Sequence, residues 1–216
     1  MKITVFGASG GTGSQVVRQA LDAGHEVLAV VRDPVRLRVS HPNLTVQAAD
    51  VLRPATASPM SAGRDAVISA LGHSRRRDER KAAAHPTLCA DSARSITEAM
   101  RATGSRRLVI VSASGPYTDG DGLMLRYLIK PVVGRLLKDA WADLVAMEEV
   151  VRASGLDWTV LRPPQLTDKP LTGRYRTRRD VNARGLRVSR ADVAHLALAV
   201  AGDPDTYRTA ISLAGP

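Results

Sequence analysis

Short apolar runs alternate with segments in which apolar residues return every three or four positions, and this rhythm holds along the chain. "KITVF" (2–6) reads as a strand. The next segment, "TGSQVVRQALDAG", puts Val16, Val17, Ala20 and Leu21 on one helical face, with Gly24 past its end. "EVLAVVR" (26–32) is a second strand, and "LTVQAAD" (44–50) alternates as a third before ending at Asp50. "DAVISALG" (65–72) and "RRLVIVSAS" (106–114) are rich in Val and Ile, as strands buried on both faces are, and a helix is predicted between them near 87–102. A helix near 138–153 leads into "LDWTVLRPP" (156–164), a strand stopped by its prolines. After an irregular basic stretch, "SRADVAHLALAV" (189–200) opens with a capping spacing from Ser189 to Asp192, and "YRTAISLAG" adds a final strand. Such alternation predicts one α/β domain over 1–216: a doubly wound parallel sheet with helices on both faces and right-handed crossovers. Ligands of such sheets bind beyond the carboxyl ends of the strands.

Composition narrows the class. With 216 residues, 44% of them apolar and 24% charged, the chain can close one substantial core, and no low-complexity block or repeat interrupts it. No apolar run reaches the length of a membrane span, and the short apolar start lacks a leader's cleavage site, so a cytoplasmic protein is expected. A single cysteine, Cys89, leaves no internal disulfide and reads as a small buried helix residue. The net charge of +10 raises nucleic-acid binding, but the basic residues are dispersed and aromatics make up only 3%, which leaves no stacking surface or recognition helix. Attraction of anionic small molecules is the simpler reading. The histidines have no partners at metal-ligand spacing, so no metal is expected.

"VFGASGGTGS" (5–14) carries the main chemical signal. Gly7, Gly10 and Gly13 are spaced GxxGxxG where the first strand turns into the first helix, which is where missing Cβ atoms let backbone N–H groups face a pyrophosphate. Gly13 also permits close packing of helix on strand, and the fold expected is of the Rossmann type. The second strand then selects the dinucleotide. Where an acidic residue would hold the 2′-hydroxyl of NAD, this chain has Arg32, followed by Asp33, with Arg36 one helical turn on; the two arginines suit a 2′-phosphate and predict NADPH/NADP+ as cofactor. The alternative, solvated surface charge, is preferred for Arg38.

Together with "VVRDPVRL", "AADVL", "DAVISALG", "LVIVSAS" and "SGLDWTVLRPPQLTDKPLTGRY", the glycine turn resembles the atypical short-chain dehydrogenase/reductase group. Within it the similarity is to the biliverdin-IXβ reductase/flavin reductase branch and its NmrA-like NAD(P)-binding relatives, over nearly the whole chain. The resemblance implies Ser9, Thr12 and the glycines, Gly11 included, at the phosphates, and Arg32 and Arg36 at the 2′-phosphate. Asp50 and Val51 fall at the adenine, Leu71 and Gly72 beside the ribose and nicotinamide, and Pro164, Gln165 and Leu166 around the nicotinamide amide. Asp50 also reads as a turn residue and Leu71 as core. Gln165 stands where that branch has histidine, which weakens any transfer of tetrapyrrole specificity.

The usual catalytic pair is missing. A standard short-chain dehydrogenase has a tyrosine with a lysine four residues on; this chain has no YxxxK, and Tyr127 with Lys130, followed by Pro131, reads as structural. An ungapped match puts Ala113 at the strand-end serine, leaving Ser112 or Ser114 as the candidate. His73 and Tyr117 lie on loops expected over the nicotinamide, where they would touch substrate or supply a proton, or simply be solvated. The basic run 75–81 would draw an anionic acceptor, and the apolar insert 120–137 would form a lid or a subunit contact.

Three functions fit. The first is an NADPH-dependent reductase passing hydride to a flavin, quinone or other planar acceptor, protonated afterwards from solvent. The second is a redox sensor that binds NADP(H) without turnover. The third is a dehydrogenase fold turned to a non-redox step.

Overall fold

A computed structural model describes residues 1–72 and 85–216. Its eight-stranded sheet has the order β3-β2-β1-β4-β5-β6-β10-β8. The strands are β1 (Lys2–Phe6), β2 (Glu26–Val31), β3 (Leu44–Ala48), β4 (Ala66–Ser69), β5 (Arg107–Val111), β6 (Asp157–Arg162), β8 (Arg176–Arg179) and β10 (Thr209–Ala214). β7 (Gln165–Thr167) and β9 (Arg187–Ser189) form a separate parallel pair. Every pairing in the large sheet is parallel except β10 with β8. The order reverses between β1 and β4, and a crevice at such a reversal is where doubly wound sheets hold nucleotides.

Helices cover both faces. On one, α1 (Gly11–Asp22) packs with α6 (Arg190–Ala201); on the other, α3 (Leu88–Thr103) lies between α2 (Pro54–Ser61) and α5 (Lys138–Arg152). The helical face expected for α1 is the one buried: Val16, Val17, Ala20 and Leu21 join Ile3, Val5 and Ile68 in the first core layer. Phe6, Val67, Leu108, Ile96 and Met147 fill the second. Ser189 caps α6 as its spacing predicted, accepting from the Asp192 N–H at 2.9 Å.

The structure adds what local pattern did not foretell. Part of the basic stretch forms β8, whose four residues are exposed, and the mostly exposed β3 closes the opposite edge; charged and polar edges deter further strand addition. The insert 120–137 forms a widened helical turn over Leu125–Ile129 and then α4 (Lys130–Leu136). Arg107, one of the dispersed basic residues, is no surface charge. Its buried guanidinium donates to the Val200 and Ala201 carbonyls that end α6 and to Thr159 and Thr206, and burial draws its pKa down to about 10. Cys89 is buried in α3, where burial and then the Asp143 carboxylate push its thiol up, away from reactivity.

Candidate functional site

The carboxyl ends of β1, β2, β4, β5 and β6 converge on one edge of the sheet, and the candidate site has two halves there. The cofactor half is built from backbone. Gly7 has φ +74°, and a Cβ on it would lie 2.9 Å from the Ala70 carbonyl oxygen, so the left-handed turn and the approach of β4 both require glycine. A Cβ on Gly13 would overlap the Gly7 carbonyl oxygen, which fixes the tight seating of α1 on β1. The Gly10 N–H donates back to Gly7 O at 2.9 Å, closing the turn. At the start of α1 no side chain caps the helix and no acidic residue occupies the first turn. Its orphan N–H groups and the positive end of the helix dipole are therefore left for an anion. A dinucleotide pyrophosphate fits: the cradle is one that a Cβ would fill, and its donors have no rival. Ser9, Gly10 and Gly11 are exposed at this turn, whereas the Thr12 side chain is buried and would offer the anion its backbone N–H.

Arg32 and Arg36 lie just past the end of β2, both exposed, and neither guanidinium has a hydrogen-bond or ion-pair partner among the described residues. Asp33 between them caps the short turn Pro34–Arg36, its Oδ1 accepting from the Val35 N–H at 3.2 Å. Asp50 shows its turn role: Oδ1 accepts from the Leu52 N–H at 3.2 Å and the carboxylate, still half exposed, sits 3.9 Å from Arg53. Val51 is buried, Leu71 packs on the core just past β4, and beyond its chain neighbours no atom of the described residues lies within 4 Å of where a Cβ on Gly72 would stand. Pro164, Gln165 and Leu166 lead from β6 into β7; Gln165 is exposed, and its Oε1 accepts from Arg187 Nε at 3.2 Å.

Side chains build the acceptor half. Glu148 of α5 is buried beneath the end of β5, where Oε1 accepts from Ser112 Oγ at 2.7 Å and from Arg162 Nε at 3.1 Å, while Oε2 takes Arg162 Nη2 at 2.6 Å. The Arg162 guanidinium stacks under the Tyr117 ring, 3.4 Å from its centroid. Burial, then the Glu148 charge, pushes the Tyr117 phenol up to about 12. Tyr117 is thus neutral at ordinary pH, and it is not an acid activated by a neighbouring cation as the phenol of a YxxxK pair is.

The two serines differ. Ser112 is buried and engaged with Glu148, whereas the Ser114 hydroxyl is half-buried with no partner among the described residues. The loop that carries Ser114 and Tyr117 is pinned from below. Lys130 donates to the Ser114 carbonyl at 3.0 Å and to that of Tyr117, and pairs with Asp121 at 2.6 Å. Asn182 Nδ2 reaches the Tyr117 carbonyl at 2.6 Å and Asp121 Oδ1 at 3.0 Å. Lys130 is therefore committed to holding this loop, and Tyr127 is exposed to solvent. A second tie holds the segment after β7. Asp192 Oδ1 accepts from the Thr172 and Gly173 N–H groups at 2.9 Å each; burial works to raise its pKa, but these bonds and those from Ser189 and the Thr172 hydroxyl outweigh it and hold the carboxyl low.

His73 and the basic run 75–81 lie outside the described residues. Among the described residues no group of three or more His, Cys, Asp or Glu could hold a metal ion, and no helix is long and apolar enough to cross a membrane. Sequence reading did not find Glu148 or Arg162, although an arginine closing the buried run "TVLR" was the available signal, since a buried charge demands a partner.

Turn, switch point and strand order define a Rossmann-type dinucleotide-binding protein with a mostly parallel sheet. The NAD(P)H-binding family matches residues 7–204, and the chain belongs to it. Among its relatives is an uncharacterized Bacillus subtilis protein, YwnB, 26% identical over 191 residues that cover 86% of this chain and 84% of YwnB. Two solved structures share the fold. A short-chain dehydrogenase/reductase from Veillonella parvula in complex with NADP superposes with a TM-score of 0.80 at 20% identity, covering 100% of this chain and 94% of that one. The oxidoreductase ylbE from Lactococcus lactis gives 0.80 at 18%, covering 100% and 91%.

Proposed function

We propose that the protein is a cytoplasmic NADPH-dependent reductase that passes hydride to a flat conjugated acceptor, a flavin or a quinone. The observation that carries the cofactor choice is the pair of guanidiniums, Arg32 and Arg36, at the end of β2, unpartnered among the described residues, with the intervening Asp33 engaged as cap of its own turn. An exposed cation pair of this kind suits a 2′-phosphate. When bound, the reduced dinucleotide supplies a hydride, and the reduced acceptor takes its proton from solvent.

The protein's own part is positional. Backbone N–H groups at the start of α1 hold the pyrophosphate, and Leu71, Gly72 and Pro164–Leu166 border the nicotinamide position. The Ser114 hydroxyl, free among the described residues at the end of β5, is set to orient the nicotinamide or the acceptor. Tyr117 presents a neutral phenol that donates a hydrogen bond without releasing its proton. Acceptors that stabilise their own reduced form suit such a site. Gln165, bonded to Arg187 where the biliverdin-IXβ reductase branch has histidine, weakens the case for a bile pigment as acceptor.

The same inert phenol would serve a redox sensor that binds NADP(H) without turnover. Absorbance assays of NADPH oxidation with FMN, a quinone and no acceptor, with NADH as control, separate the two. Acceptor-dependent oxidation that favours NADPH is expected. Tight NADP(H) binding with no oxidation in any mixture would instead establish the sensor.

A further inference from the structure

Of the glycines in the turn, Gly11 answers to neither reason given above. It has no positive φ, and a Cβ there would meet no backbone; it would lie 2.7 Å from both Cδ and Nε of Arg190. Gly11 thus leaves room for the stem of an arginine that arrives from the far end of the chain, at the first position of α6. The Arg190 side chain lies across the opening residue of α1, where the helix presents its orphan N–H groups.

Among the described residues an ion pair from Nη1 to Asp168 Oδ1 at 2.6 Å holds the guanidinium there, with the Asp168 side chain 66% exposed. Exposed pairs of this kind are weak because water competes for both charges. A diphosphate at the helix N-terminus is the stronger partner, since it carries more charge and offers several oxygens to a planar fork of donors.

Building on the cofactor reading, we infer that Arg190 is a ligand of the cofactor pyrophosphate, supplied by α6 and parked on Asp168 until the anion arrives. Dinucleotide recognition then has two separate cationic parts. Arg32 and Arg36 read the 2′-phosphate and so choose NADPH; Arg190 reads the diphosphate common to NADPH and NADH and gives affinity without choice. Asp168 lies on the segment between β7 and the Thr172–Gly173 tie, so transfer of Arg190 to the anion also gives up the ion pair that joins this segment to α6.

The test titrates two fragments against the unaltered protein, Arg190→Gln, Asp168→Ala and Arg32→Ala. ADP-ribose carries the diphosphate without a 2′-phosphate; adenosine 2′-monophosphate carries the reverse. Arg190→Gln should weaken ADP-ribose about tenfold or more, on the scale of a charge-assisted hydrogen bond, and leave adenosine 2′-monophosphate within about twofold. Arg32→Ala should show the opposite pattern. Asp168→Ala breaks the same ion pair but keeps the guanidinium, so its ADP-ribose affinity should hold.

Three results would overturn the assignment: unchanged ADP-ribose affinity in Arg190→Gln, equal loss of both fragments in that variant, or a loss in Asp168→Ala matching that of Arg190→Gln. The last two would make Arg190 a structural tether. If the unaltered protein bound neither fragment, the cofactor reading would fall and this inference with it, whereas loss confined to Arg32→Ala would remove only the role of Arg190.

Discussion

The two halves of the site stand at the same edge of one sheet and are built on opposite principles. At the glycine turn, side chains have been removed and hydrogen-bond donors left without partners; at the loop after β5, nearly every polar group is already engaged. Ser112, Glu148 and Arg162 satisfy one another, and Lys130, Asp121 and Asn182 hold the loop above them. On the proposed reading the open half recruits an anion through the backbone, so its specificity for dinucleotides would be generic to the fold. The closed half is a stiff floor whose free groups are few, and on the proposed reading acceptor identity would rest on them.

This contrast can be broken from either side. The largest effect is expected in the closed half, where Glu148→Ala strands the buried Arg162 guanidinium. Removing one partner of a buried pair costs about 3–5 kcal/mol, enough to consume much of a domain's stability, and denaturant unfolding measures it. In the open half, Gly13→Ala drives a methyl into the Gly7 carbonyl and should cost about 1–3 kcal/mol. Its more telling consequence is loss of NADPH binding with the fold retained, visible when calorimetric binding is set beside thermal melting.

The smallest effect belongs to Tyr117. Its pKa is raised from 10 to about 12, so the folded protein keeps a proton that the unfolded chain has lost at high pH. The contribution is fully present below pH 10 and is lost as pH rises from 10 toward 12. Tyr117→Phe should flatten the fall in stability across that window and leave NADPH oxidation near neutral pH within about threefold, the change expected when no proton transfer is lost. A loss of about a hundredfold would make Tyr117 a general acid and the acceptor half an active proton donor.

The halves also differed in how far they could be read in advance. The glycine turn announces itself locally: strand, glycines and amphipathic helix are contiguous, and their physical reasons act within a dozen positions. Alternating elements and the capping spacing at Ser189 were legible for the same reason. The closed half joins residues distant in sequence. Ser112 meets Glu148 across 36 positions and Asn182 meets Tyr117 across 65, and no periodicity encodes such pairings. β8 was hidden similarly, because "RTRR" lacks the apolar alternation of a half-buried strand and is exposed throughout, held by its ladder to β10. Arg190 was passed over inside a helix-start motif whose capping role explained its neighbours.

One face remains unlike either half. Leu123, Met124, Tyr127, Leu128, Val132 and Leu136 are exposed along the insert that follows the acceptor loop. If this helix closes over acceptor, limited proteolysis between 120 and 137 should slow when NADPH and acceptor are both present; cleavage indifferent to both would show that it does not.

The central claim is that the open half is built for NADPH, and parallel titrations of NADPH and NADH into the unaltered protein and Arg32→Ala test it most directly. The account predicts that NADPH binds about tenfold tighter or more, as a charge-assisted contact to the 2′-phosphate requires, and that Arg32→Ala brings NADPH down toward NADH while leaving NADH unchanged. Equal affinities in the unaltered protein, or a preference untouched by the substitution, would contradict it.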